Sequence, residues 1–223
     1  MLVVDDAISS ELLNFVLLDD EFFPKSMGDS EKLAEHINSY HEETASCYAP
    51  YMFWDGWWRS EPNTLRKKVI KELWQSNLPF RENEIIGIEY WTRTYSSGQY
   101  LDTHVDEDTF LYQDKKIFSG PAHGGIWYGV DNEDGGFLEI FTKAIADGEK
   151  NALEKENIAK YLCHEDGLER IKYKGNRFIS FDAGHVPHRT TPAKSGIRQV
   201  MVMNIWTFSN PPTALSLNKF HYE

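Results

Sequence analysis

The chain has 223 residues, of which 41% are hydrophobic and 14% aromatic, with 7 Trp. That is enough apolar surface for one packed domain and too much for a disordered chain. Lys and Arg number 23 against 35 Asp and Glu, a net charge of −12, which disfavours a phosphate-backbone partner.

No apolar run approaches the roughly 18 residues of a membrane span. No basic and apolar leader opens the chain. Two cysteines, Cys47 and Cys163, are too few for a disulfide framework or a thiolate zinc site. A reduced, cytoplasmic setting is the default expectation. With no repeat, low-complexity tract or Pro/Ser linker to divide it, the chain reads as one domain, residues 1–223.

Residues 1–80 read as helical support. Ser9 is placed to cap a helix carrying Leu13, Val16 and Leu17 on one face. Asp29 or Ser30 is placed to cap a second, with Leu33, Ile37 and Tyr40 in register. Asn63 is placed to cap a third, with Leu65, Val69, Leu73 and Trp74. Between them Tyr48–Trp58 (YAPYMFWDGWW) is densely aromatic and reads as core or lid.

From Glu84 the period changes to two. Ile86, Ile88 and Tyr90 alternate, then Leu101, Thr103 and Val105, then Ile126–Val130, then Phe137–Phe141. Ser96-Ser97-Gly98, Gly124-Gly125 and Asp131–Gly136 read as the turns between them, with His123 in a loop. The charged stretch 143–172 reads as a helical surface insertion. Strands resume at Arg177–Asp182 and Gln199–Thr207. The fold class expected is mainly β with flanking helices: a jelly-roll core over 84–142 and 175–207, braced by N-terminal α-helices.

His104 and Asp106 lie two apart on a strand pattern, so they point to one face and can meet the same ion. His41-x-Glu43 and His164-x-Asp166 share the spacing. The first of these lies in a helical pattern, where residues i and i+2 diverge, and the second in the charged insertion. Downstream, Arg177–Phe181 leads to His185 and His188, and Arg198 follows ten residues after His188. Two His and one carboxylate form a facial triad that leaves one side of an Fe(II) sphere open. An Arg on the next strand suits the distal carboxylate of a chelating cosubstrate.

On these segments the sequence resembles the Fe(II)/2-oxoglutarate-dependent dioxygenases, in their prolyl-4-hydroxylase-like branch. Five stretches match in order. VVDDAISSELL resembles the opening strand and helix, and Tyr95–Tyr100 followed by His104-Val105-Asp106 resembles the strands through the first two ligands. Ile126–Phe141 resembles the family's tyrosine, acidic turn, double glycine and strand. His188, Pro192, Gly196 and Arg198 resemble the final ligand and basic residue, and Trp206 ends the last strand.

The resemblance implies His104, Asp106 and His188 as catalytic iron ligands. It also implies Arg198 and Tyr128 on the far carboxylate of 2-oxoglutarate, and Tyr95 lining that pocket. The Pro and Gly spacing counts from His188, and His185 is the rival for its place. Arg93 shares a strand face with Tyr95 and is the alternative carboxylate partner. Asp102 reads as solvent-facing, and Gly135-Gly136 as a tight turn.

The implied cofactors are Fe(II), 2-oxoglutarate and O2, with ascorbate as an optional reductant. The implied reaction is hydroxylation of an unactivated C–H bond in a peptide, protein or small molecule, with neither nucleic acid nor membrane as partner. The alternatives are a cupin-type metal enzyme that does not use 2-oxoglutarate and a non-catalytic binding module.

Overall fold

The computed structural model describes residues 1–23, 53–55, 61–75, 77, 79, 81–141 and 167–213. The helix placed after Asp29 or Ser30, the pairs at His41 and His164, and both cysteines lie outside the described residues. So do 143–166 of the insertion and all of the aromatic segment except Phe53–Asp55.

Among the described residues, ten strands fall into two antiparallel sheets. The strands are β1 (Leu2–Val4), β2 (Phe53–Asp55), β3 (Ile85–Ser96), β4 (Leu101–His104), β5 (His123–Tyr128), β6 (Phe137–Phe141), β7 (Leu168–Lys172), β8 (Arg177–Phe181), β9 (His188–Thr190) and β10 (Ile197–Thr207). The larger sheet runs β1-β8-β5-β10-β3-β2 and the smaller β4-β9-β6-β7. The region read as helical support therefore also supplies two strands, β1 and β2, to the larger sheet.

Alternation along β10 separates two interiors. Met201, Met203 and Ile205 pack with Ile88, Tyr90, Trp127 and Phe178 beneath the helices. Val200, on the opposite face, packs with Tyr95, Ile126, Tyr128, Leu138, Ile140 and Ile179, drawn from both sheets. The period-two reading thus carries straight into the packing.

Helix α1 (Ser10–Leu18) and helix α2 (Leu65–Gln75) cover the outer face of the larger sheet. Val16 from α1, with Val69, Ile70, Leu73 and Trp74 from α2, are buried in that cluster. Ser9 caps α1, its hydroxyl accepting from the Leu12 N–H at 3.4 Å. Its own N–H donates to Glu72 on α2, joining the two helices.

Four expectations need correction here. Leu17 is exposed, because the core stripe of α1 runs through Val16 and Leu13. The cap of α2 is Thr64, whose hydroxyl accepts from Lys67 N–H at 3.3 Å, while the Asn63 side chain accepts from the Lys67 ammonium. Gly124 and Gly125 sit inside β5, and His123 begins that strand. A Cβ on Gly125 would lie 2.7 Å from the Phe178 ring, so glycine here makes room for packing and not for a turn. Leu168–Lys172 is a strand paired with Phe137–Phe141, not insertion. Its Ile171 faces the core and its charged residues face out.

The turn at Asp131–Gly136 forms as expected. Asn132 folds it, its Oδ1 accepting from Asp134 N–H at 3.0 Å. Gly136 takes φ +82, the left-handed region.

Candidate metal centre

β4 and β9 are antiparallel neighbours in the smaller sheet, and their register sets His104 directly opposite His188. Just past the end of β4 the chain is fixed by Asp106 N–H, which donates to the Ala183 carbonyl at 2.9 Å. The Asp106 carboxylate faces both imidazoles. Its Oδ1 lies 3.7 Å from His104 Nε2 and 3.7 Å from His188 Nε2. One donor atom from each of the three side chains lies within 4.8 Å of the others.

The tautomers suit metal binding. His104 Nδ1 meets the Asp102 carbonyl at 2.7 Å and His188 Nδ1 meets the Val186 carbonyl at 3.1 Å. A carbonyl can only accept, so each Nδ1 carries a proton and Nε2 is the ring nitrogen left to meet a metal. Burial, with His104 beside it, holds His188 well below the ordinary imidazole range, against the pull of the Val186 carbonyl; it is neutral. Burial pushes the Asp106 carboxyl up, opposed by His104 and the Asn204 amide. A cation placed among the three would offset that desolvation. Two imidazoles and one carboxylate match a divalent first-row metal.

The side chain of His188 is 5% exposed and that of His104 36%. The centre is closed on the β9 side and open beside His104. His185 is not among the three. Its Nδ1 lies 2.9 Å from Asp182 Oδ1, in the turn before β9.

Deeper between the sheets is a buried cation. Arg198 is 1% exposed and stands opposite Tyr95 across the β10–β3 ladder, its guanidinium 4.8 Å from that ring's centre. Its terminal nitrogens donate to the Thr191 carbonyl at 2.7 Å and Thr190 Oγ1 at 3.1 Å, with longer contacts of 3.4 Å to the Gly135 and Gln99 carbonyls. Among the described residues no carboxylate pairs with it. Its Nε and the neighbouring Gln99 Nε2 are buried without partners. A buried cation with no counter-charge and unpaired N–H donors beside it is costly unless an anion completes it.

Tyr128 on β5 is buried near this charge. Burial pushes its hydroxyl up to about 12, with Arg198 and Arg177 working the other way, so it is a neutral donor. Tyr173, which sequence reasoning missed, packs against it with ring centres 4.4 Å apart. Arg93 lies on the interior face of β3, half-buried, opposite Val200. Asp102 is exposed as expected, and its carbonyl alone takes part, through His104. Asn204 and Glu89 were also missed. Asn204 reads as one polar letter in an apolar strand, and only the Asn204–Glu89 pairing across the ladder shows its place.

No protein-family profile and no curated protein match the sequence. Solved structures do match the fold. A prolyl hydroxylase from Trichoplax adhaerens, in complex with a hypoxia inducible factor oxygen degradation domain peptide fragment, superposes with a TM-score of 0.52. It is 14% identical, over 96% of this chain and 86% of that one. A prolyl-4-hydroxylase from Pseudomonas putida gives a TM-score of 0.46 at 14% identity, over 95% of this chain and 88% of that one. The likeness to the Trichoplax structure is one of fold.

Proposed function

We propose that this protein is an Fe(II)- and 2-oxoglutarate-dependent dioxygenase that hydroxylates an unactivated C–H bond in a peptide or protein, a prolyl residue first among them. One observation carries the reading. The same intersheet space holds a His104–Asp106–His188 donor set and, at Arg198, a buried cation with no carboxylate partner among the described residues. The two facing sheets are read as a double-stranded β-helix. The peptide as substrate is supported by the peptide in the Trichoplax prolyl hydroxylase structure.

His104 Nε2, His188 Nε2 and the Asp106 carboxylate would hold the iron. Arg198 would pair with the far carboxylate of 2-oxoglutarate, with Tyr128 as a hydroxyl donor and Tyr95 as the wall behind the guanidinium. When bound, iron with 2-oxoglutarate and dioxygen supplies the oxidising power that places an oxygen atom on the substrate carbon and releases succinate and carbon dioxide. The protein's share is placement and exclusion of water. Ile126, Leu138, Ile140 and Val200 line the interior with apolar side chains and strengthen every charge contact within it. His104, the more exposed ligand, marks the side from which substrate arrives.

The test is anaerobic mixing of the apoprotein with Fe(II) and 2-oxoglutarate. A visible charge-transfer band from the chelate is expected in the wild type and absent in His188→Ala. No band in the wild type, with Fe(II) bound, points to a cupin-type enzyme. No Fe(II) binding points to a non-catalytic module.

A further inference from the structure

Strand β9 carries a second polar side chain on the face that holds His188. Thr190 lies two residues on and is likewise buried, at 9% exposure, while Arg189 between them turns outward to Glu139. The ladder sets Thr190 opposite Leu101 on β4 and Leu138 on β6, as it sets His188 opposite His104 and Ile140. Two residues of strand span roughly 6.6 Å. Thr190 therefore stands beyond the reach of a metal at His188, in the direction of Arg198.

The Thr190 oxygen already accepts twice. Leu101 N–H donates to it at 2.8 Å and an Arg198 terminal nitrogen at 3.1 Å. Neither a backbone N–H nor a guanidinium can accept, so the hydroxyl hydrogen is left to donate, and no acceptor for it stands among the described residues. Arg198 Nε is buried without a partner, and so is Nε2 of Gln99, whose carbonyl lies 3.4 Å from the guanidinium. The polar groups left unpaired on these three residues are all donors. An ionised carboxylate is the ligand end that accepts at every such position and donates at none.

We propose that Thr190 is a binding residue for the far carboxylate of 2-oxoglutarate, its hydroxyl donating to the same carboxylate that pairs with Arg198. The proposal rests on reading Arg198 as the partner of that cosubstrate. The two N–H donors on the Thr190 oxygen fix the hydroxyl in place before the ligand arrives.

The test loads the protein with Co(II) and titrates 2-oxoglutarate by calorimetry. Oxalate, which chelates a metal and lacks the far carboxylate, is the reference ligand. Wild type is expected to bind both. Thr190→Val, close in volume, and Thr190→Ala are expected to bind 2-oxoglutarate about 10- to 100-fold more weakly and oxalate within about twofold of wild type. Thr190→Ser keeps the donor and is expected to stay within about threefold for both ligands. Adding Thr190→Val to Arg198→Met is expected to weaken 2-oxoglutarate binding further, because the hydroxyl acts on the carboxylate directly.

A wild type that binds Co(II) and oxalate but not 2-oxoglutarate would overturn the dioxygenase reading, and this role with it. Wild-type affinity for 2-oxoglutarate in whichever of the Val and Ala variants folds would overturn the role of Thr190 alone. Equal losses for oxalate and 2-oxoglutarate would make Thr190 a brace between strands, and no further loss in the Arg198→Met background would make it a support for the guanidinium. Either result overturns the binding role.

Discussion

His104 and His188 face one another across the β4–β9 ladder, their ring centres 4.3 Å apart and tilted by 53°. Neither residue holds that place through its own helix or loop; the strand register does. A slip of one residue would turn one imidazole to the far face of the sheet. Metal affinity is therefore a reading of sheet register as much as of ligand identity.

It follows that metal should stabilise the folded chain. Saturating Co(II) at a hundred times its Kd adds about 2.7 kcal/mol, which for a domain of this size raises Tm by roughly 5–10 °C. The rise is expected in the wild type, to vanish on adding EDTA, and to be absent in His188→Ala. Differential scanning fluorimetry measures all three.

Arg198 should govern the cosubstrate more than the metal. Arg198→Met is expected to raise the half-saturating 2-oxoglutarate concentration by about 10- to 100-fold, the cost of one charge-assisted pair, and to leave Co(II) affinity within about twofold. Arg198→Lys restores the charge without the planar fork and is expected to fall between. The readout is succinate formed at varied 2-oxoglutarate. Equal half-saturation in wild type and Arg198→Met would take the carboxylate away from Arg198.

Glu89 should leave a mark on stability against pH. Its folded value is raised to about 7 from 4.5, chiefly by burial. The native state keeps a proton that the unfolded chain has lost, so this group's stabilisation is full below pH 4.5 and is lost as pH rises through 7. The whole change is of order 3 kcal/mol. Urea denaturation of the apoprotein at pH 5 and pH 8 is expected to show Glu89→Gln gaining on wild type by about that amount. A constant difference between the two proteins would contradict the burial argument.

Gly125 should tolerate no side chain. Its Cβ would lie 2.7 Å from Phe178 and 2.9 Å from Trp74, both fully buried and in edge-to-face contact at 5.0 Å. Gly125→Ala is expected to cost about 1–3 kcal/mol, read as a lower urea midpoint at unchanged slope. Gly98, with open space around its Cβ position but φ +84, should lose less on substitution to Asn than to Val.

The alternation of β3 and β10 was legible because each strand divides two interiors, and that of β6 because Leu138 and Ile140 turn to one of them. The pairing of His104 and Asp106 was legible from their spacing of two, although β4 ends at His104 and Asp106 lies just beyond it. Gly124 and Gly125 misled because glycine usually punctuates. Here their smallness answers to Ala183, Phe178 and Trp74, residues 50 or more positions away that no local window contains. Leu168–Lys172 was lost among charges because only Ile171 and, in part, Leu168 turn inward. Asn204 was hidden in an apolar run, since its meaning lies in the strand beside it.

The first strand carries a consequence for how the chain comes together. Leu2, Val3 and Val4 find their sheet partners in Ser180, Ile179 and Phe178, and Ile8 is bonded both ways by the Asn176 side chain, 168 positions later. β1 is made well before its partners in β8 and must wait for them before it can settle. Contacts of such long loop closure form late and slowly, and until then Leu2–Val4 is an unpaired apolar strand exposed to other nascent chains.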